Sequence, residues 1–277
     1  MLLTRGRRRA AGGFFSGFAI GSLGGMIGLG GAEFRLPLLV GFFRLKTLEA
    51  IILNKATSLV VVSTALFARS VSIPVHALWP SVDVVLNLLA GSLVGAWWAA
   101  GHTMSMPRKQ LDRVVLLLLI GLGVLMLAEA WIGIGASGTQ MISDPVIRAV
   151  CGVGAGLLIG MVAAILGVAG GELLIPTIVL LYGIDIKLAG SLSLVVSLPT
   201  MLVGFMRYRS ADAFSVLHSE ASLFKAMTAG SMLGAVAGGL MLGLLSSSLL
   251  TLCLGVLLLF SAWKTFNHDG TQENKQC

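Results

Sequence analysis

The chain has 277 residues, 56% of them hydrophobic and only 11% charged, and its mean hydropathy is +0.96. A soluble fold of this length cannot bury that much apolar surface, so the composition excludes a soluble globular protein and predicts an integral membrane protein. The net charge of +7 is dispersed over short loops, the pattern of cytoplasmic arginines rather than of a nucleic-acid-binding stripe, so no nucleic-acid partner is expected.

A helix crosses a bilayer with ~20 apolar residues. In chain order, candidate runs fall at 12–31, 51–68, 84–101, 114–135, 150–170, 190–206, 223–245 and 249–262. Two shorter runs, 36–43 and 173–182, are too short to span alone. Arg5, Arg7, Arg8 and Arg9 precede the first run in the manner of a signal peptide. That run is long and glycine-rich and has no small-x-small cleavage site, so it reads as an uncleaved first membrane segment.

The end of the first run continues into GLGGAEFRLP at 28–37, and GVAGGELLIP follows 139 residues later at 167–176. The same offset of 139 pairs Gly13, Gly17 and Gly21 with Gly152, Gly156 and Gly160, and Gly91, Ser92 and Gly95 with Gly230, Ser231 and Gly234. The chain is therefore read as a duplication with halves 1–140 and 141–277. Between these anchors KATSL at 55–59 aligns with GSLSL at 190–194, which needs four extra residues in the first half, placed in the polar turn 44–54. Glycines four apart share a helix face and form grooves for close backbone approach, a scaffold rather than a substrate contact. Such grooves serve packing within a chain and between copies equally, so a homo-oligomer stays open.

Setting aside Arg35, the basic residues divide 11 to 7 across the membrane if all eight long runs cross. They divide 15 to 3 if each motif-bearing stretch enters, breaks at its glycines and returns to the side it came from. The positive-inside rule favours the second arrangement, with both termini cytoplasmic. Each half is then a broken, re-entrant helical hairpin plus three transmembrane helices: 12–43, 51–68, 84–101 and 114–135, then 150–182, 190–206, 223–245 and 249–266. Three crossings is an odd number, so the second half is inserted upside down. The expected fold is an all-α polytopic membrane protein of two inverted repeats, an architecture of secondary transporters whose sites lie near the midplane.

Non-helical backbone at membrane depth must face protein or a water-filled cavity. The breaks at Gly28, Gly30 and Gly31, and at Gly167, Gly170 and Gly171, are thus candidate substrate contacts, because aligned amides and a helix dipole suit an anion. Pro37 and Pro176 are expected in the first turns of the short helices that follow. Glu33 and Glu172 are carboxylates whose depth costs on the order of 2 to 3 kcal/mol on insertion scales, which marks a pathway, a proton relay or a paired charge. Arg35 offers Glu33 a partner. If the two hairpin tips meet, the carboxylates share a proton, which suits proton coupling.

Thr57, Ser58, Ser191 and Ser193 begin the helices after the hairpins and have hydroxyls to give an oxyanion. The competing reading is that they bond their own backbone. Lys55 either draws an anion from the cytoplasmic side or snorkels to the interface. Cys151 and Cys253 read as buried small hydrophobes and Cys277 as a free tail thiol. His76, His102, His218 and His268 lack ligand spacing, so neither a metal nor another cofactor is expected. GASG at 135–138 is similar to the serine motif of rhomboid intramembrane proteases, but no later membrane helix has a histidine to activate Ser137.

Together GLGGAEFRLP, KATSL and GSLVGA in the first half, with GVAGGELLIP, GSLSLVVSLPT and GSMLGA in the second, resemble the TauE/SafE sulfite exporter family of membrane permeases. The likeness runs from about Gly13 to Ala262. It implies a bacterial inner-membrane protein that moves sulfite, sulfonates or related small sulfur-containing anions, with lipid as its surroundings. The chain departs from the family pattern at Glu33 and Glu172, where many members have an aromatic or aliphatic residue, and at Ala169, where a glycine is replaced. The leading expectation is a secondary exporter working by alternating access. Its competitors are an importer of another small anion or a zwitterion, and a non-transporting membrane scaffold or accessory subunit.

Overall fold

A computed structural model of the chain describes residues 2–27, 31–72, 75–132, 142, 144–184 and 186–240. Gly28, Gly30, Ser137, Cys253, Cys277 and His268 lie outside the described residues, as does the run 249–266. Among the described residues the fold is all-helical: α1 (Leu2–Ile27), α2 (Ala32–Gly41), α3 (Thr47–Ser72), α4 (Val82–Ser105), α5 (Arg108–Ile132), α6 (Pro145–Leu166), α7 (Gly171–Tyr182), α8 (Ile186–Tyr208), the single turn α9 (Val216–Ser219) and α10 (Ala221–Leu240). Among the described residues four stretches, Thr47–Phe67, Leu78–Ser105, Pro145–Leu166 and Leu188–Tyr208, are long and apolar enough to cross a membrane.

Local chemistry sets the ends of α6. Asp144 is its N-cap, accepting from the Val146 amide at 2.8 Å and the Ile147 amide at 3.1 Å, and Pro145 follows where its missing N–H costs least. At the other end Gly167 adopts a left-handed conformation (φ 67°), and the Val168 amide returns to the Ala163 carbonyl at 3.1 Å. That closure is a Schellman motif, which needs a residue without a Cβ at the turn. Gly170 (φ 77°) then caps the start of α7, as Gly31 (φ 66°) caps the start of α2.

The helices assemble through their glycines. On α1, a Cβ at Gly17 would collide with the Met227 carbonyl of α10, and one at Gly21 with the Ser231 carbonyl. On α6, a Cβ at Gly156 would collide with the Leu88 carbonyl of α4, and one at Gly160 with the Ser92 carbonyl. The opposing glycines behave alike: Gly230 and Gly234 of α10 meet the carbonyls of Phe14 and Phe18, and Gly91 and Gly95 of α4 meet those of Val153 and Leu157. Each contact in one crossing becomes its counterpart in the other when 139 is added to one residue and subtracted from the other. The opening helix of each half is therefore clasped by the α4-type helix of the opposite half, with backbones close enough for dispersion to hold the pair without a hydrophobic driving force.

Outward faces carry large apolar side chains, among them Phe15, Val94, Trp97, Trp98, Leu117 and Val150, a surface suited to lipid. Polar contacts gather at one end of the bundle. Arg9 donates to the Phe43 carbonyl at 3.0 Å and pairs with Glu220 at 3.1 Å, and Thr47 bonds to Asp112. A cavity of about 370 Å³ opens at this end, lined by Lys46, Glu49, Thr103, Arg108 and Asp212 among others.

Three expectations are corrected here. The extra residues of the first half do not all go into the turn: five residues separate α2 from α3 against three between α7 and α8, and Lys55 lies eight residues into α3 whereas its counterpart Gly190 lies four into α8, so the helix is extended as well as the loop. Pro37 and Pro176 are each the sixth residue of their helix, past the first turn. There a proline offers no N–H to the carbonyl four residues back, which is that of Glu33 in one half and Glu172 in the other. Cys151 is exposed on α6 rather than buried, because the buried face of that helix is its glycine face.

Candidate functional site

The second break is built into the side of α3. Gly167 packs so closely on the Ile51 backbone that a Cβ there would lie 2.5 Å from the Ile51 carbonyl. Near the end of α6 the Ala163 and Ala164 carbonyls accept the closing amides of Gly167 and Val168, and neighbouring helices bring side-chain donors to these carbonyls and to that of Leu166. Lys55 Nζ reaches the Ala163 carbonyl at 3.1 Å, Tyr208 Oη reaches that of Ala164 at 3.0 Å, and Asn54 Nδ2 reaches that of Leu166 at 3.4 Å. An ammonium at this end also complements the negative pole of the α6 dipole. The Lys55 ammonium sits 5.9 Å from the centre of the Tyr208 ring, and the lysine is fully buried beside Gly204. The snorkelling expectation for Lys55 is therefore overturned: its ammonium is held inside the bundle.

Asn54 joins the two breaks. Its Nδ2 also donates to the Ala32 carbonyl at 2.9 Å, just after Gly31, while its Oδ1 accepts from Arg35 Nε at 3.2 Å. Arg35 Nη2 donates to Ser58 Oγ at 2.6 Å. Asn54 and Ser58 are four residues apart, so one face of α3 presents both to α2. Arg35 is 0% and Glu33 1% exposed, and the charge of Glu33 is felt at the Arg35 guanidinium. The Glu172 side chain lies outside the described residues, and the expected meeting of the two carboxylates lies there with it.

The hydroxyls divide by role. Ser58 joins Arg35, and Thr57 on another face of α3 accepts from Thr228 of α10 at 3.4 Å. Ser193 donates to the Gly190 carbonyl at 2.9 Å, a bond to its own helix. Ser191 is buried, with no hydrogen-bond partner for its Oγ among the described residues. Gly31, Gly167, Gly170 and Gly171 all lie at the breaks, but Gly167 is covered by α3. Sequence reading missed Asn54, assigned to a turn, and the Ser92–Thr200 hydroxyl contact at 2.8 Å between α4 and α8. The signal available for Asn54 was its place directly ahead of KATSL, where a polar run opens an apolar helix.

The arrangement is a buried polar knot at two helix breaks, with two fully buried cations, an amide and hydroxyls. Such a knot can hold a small anion and can reorganise when the breaks move. The family model described as Sulfite exporter TauE/SafE matches residues 3–126 and 151–276. No curated protein and no solved structure matches the chain.

Proposed function

The chain belongs to the TauE/SafE sulfite exporter family, a family of multi-pass membrane transporters rather than enzymes, and on that premise we propose that it exports sulfite, a sulfonate or a related small sulfur-containing anion by alternating access. The observation that carries the mechanism is the Asn54 amide, which ties the carbonyl after the first break to the carbonyl before the second. One residue thus couples the backbone of both hairpins, so a change at either break is felt at the other. Transport needs that coupling, because opening the site to one side must close it to the other.

The membrane arrangement in this reading is two inverted repeats with re-entrant hairpins, both termini cytoplasmic, in a bacterial inner membrane. The contacts Arg9–Phe43 and Arg9–Glu220 support it, since they put the amino-terminal helix, the α2–α3 connection and the start of α10 at one end. The 139-residue correspondence of the two glycine crossings supports the repeats. In this reading Glu33 and Glu172 couple the anion to protons, because unprotonated carboxylates beside the path repel it.

Proteoliposomes test the proposal. Flux of sulfite, sulfate, thiosulfate, taurine and sulfoacetate is measured in both directions at two pH values. Saturable movement of at least one sulfur anion is expected, and failure of all five to move would refute the function.

A further inference from the structure

We propose that the Arg35 guanidinium, with Ser58, is the oxyanion-binding element of the transport site, and that each chain holds one anion there; this deepens the export reading and rests on it. Arg35 is 0% exposed inside a bundle read as spanning the membrane, where a buried cation favours an anion that can reach it. Two of its three nitrogens are engaged by neutral acceptors, Nε by Asn54 Oδ1 and Nη2 by Ser58 Oγ. Those bonds fix the plane of the fork without cancelling its charge. Nη1 has no hydrogen-bond partner among the described residues. Glu33 lies two positions away on α2 and its charge is felt at the guanidinium, so an oxyanion takes its place beside Arg35 when Glu33 is protonated. The other buried cation among the described residues, Lys55, is held by the Ala163 carbonyl at the end of α6.

The chemistry selects a small oxyanion. A guanidinium offers two parallel N–H groups that match two oxygens of a sulfite, sulfonate or sulfate, and a halide cannot use both. Ser58 accepts from Arg35 and still has its own hydroxyl proton to donate, so Nη2 and Ser58 Oγ can face the same anion. Asn54 is a positioning residue, since its two amide bonds to Ala32 and Leu166 lock the oxygen that holds Nε. In the second half Leu174 and Gly190 stand where Arg35 and Lys55 stand in the first. At these two aligned positions the cation stands in the first half alone, which fits one anion per chain.

The test uses the full chain purified in detergent, titrated with sulfite, sulfate and methanesulfonate, and with chloride as control, by calorimetry and by thermal shift. Wild type is expected to bind at least one oxyanion at a stoichiometry near one and to ignore chloride. Ser58→Ala and Arg35→Lys should each weaken binding about tenfold or more, the loss of a charge-assisted hydrogen bond, and raise KM for flux in vesicles. Arg35→Gln should abolish binding. If Arg35→Gln does not fold, Arg35→Lys and Ser58→Ala still decide. Affinity within twofold of wild type in both overturns the proposal, as does a wild type that binds no oxyanion. A wild type that moves sulfur anions with KM unchanged in both variants sinks this site and leaves the export reading standing. Binding that depends on Arg35 without any flux does the reverse.

Discussion

Replacing Gly160 by alanine should separate α6 from α4. Built on the present backbone, the new Cβ lies 2.7 Å from Ser92 Cα and 2.8 Å from its carbonyl carbon. Carbon atoms rest about 3.5–4.0 Å apart, so the helices must part by roughly 1 Å, and a gap of that size forfeits a quarter to a half of each facing dispersion well. Overpacking of this kind costs about 1–3 kcal/mol. Gly154 lies on the same helix with nothing within 4 Å of its would-be Cβ, and there alanine gains up to about 1 kcal/mol of helix propensity. The two variants should therefore differ by about 1–4 kcal/mol in denaturant unfolding of the purified protein, followed by circular dichroism. Gly21→Ala, whose Cβ would lie 2.8 Å from Ser231 Cα, should behave like Gly160→Ala. Equal stability of Gly160→Ala and Gly154→Ala would refute the close-crossing argument.

Tyr208→Phe removes one donor from the end of α6 and should cost about 0.5–1.5 kcal/mol, while Asn54→Ala leaves carbonyls at both breaks without that donor and should cost about 1–3 kcal/mol and depress flux. The order of the two in thermal unfolding checks this. Glu172→Gln and Glu33→Gln should flatten the pH dependence of transport, since a fixed neutral group no longer gains or loses a proton across the range; an unchanged profile in both removes them from coupling. In a background with Cys151, Cys253 and Cys277 replaced by serine, Arg44→Cys and Arg209→Cys should react with an impermeant thiol reagent from the same side and Arg148→Cys from the other. Labelling of Arg44→Cys from the side opposite Arg209→Cys would eliminate the re-entrant topology in favour of eight simple crossings.

The helical class was legible because long apolar runs leave the backbone no alternative in lipid. The glycine faces were legible as scaffold because a four-residue spacing fixes which side of a helix is smooth. Spacing says nothing about what lies against that side, so the exchange of α1 and α6 between halves had to come from three-dimensional contacts. Asn54 and Lys55 were misjudged for one reason: a polar residue beside a loop looks solvated until another helix end is seen to need its donor. The α3 extension was hidden because a four-residue insertion in sequence looks the same whether it adds a loop or a turn of helix. Pro37 and Pro176 were placed too early because helix starts at left-handed glycines are not marked by a capping side chain.

The clasp of α1 by α10 also constrains how the protein is made. Gly17 and Met227 meet in the finished fold although 210 residues separate them, and α10 is the last helix of the described chain. At ~5–20 residues per second the ribosome needs roughly 10 to 40 s between the two. Throughout that interval the first helix waits in the bilayer with its glycine face turned to lipid, so completion of the bundle is an event of late synthesis.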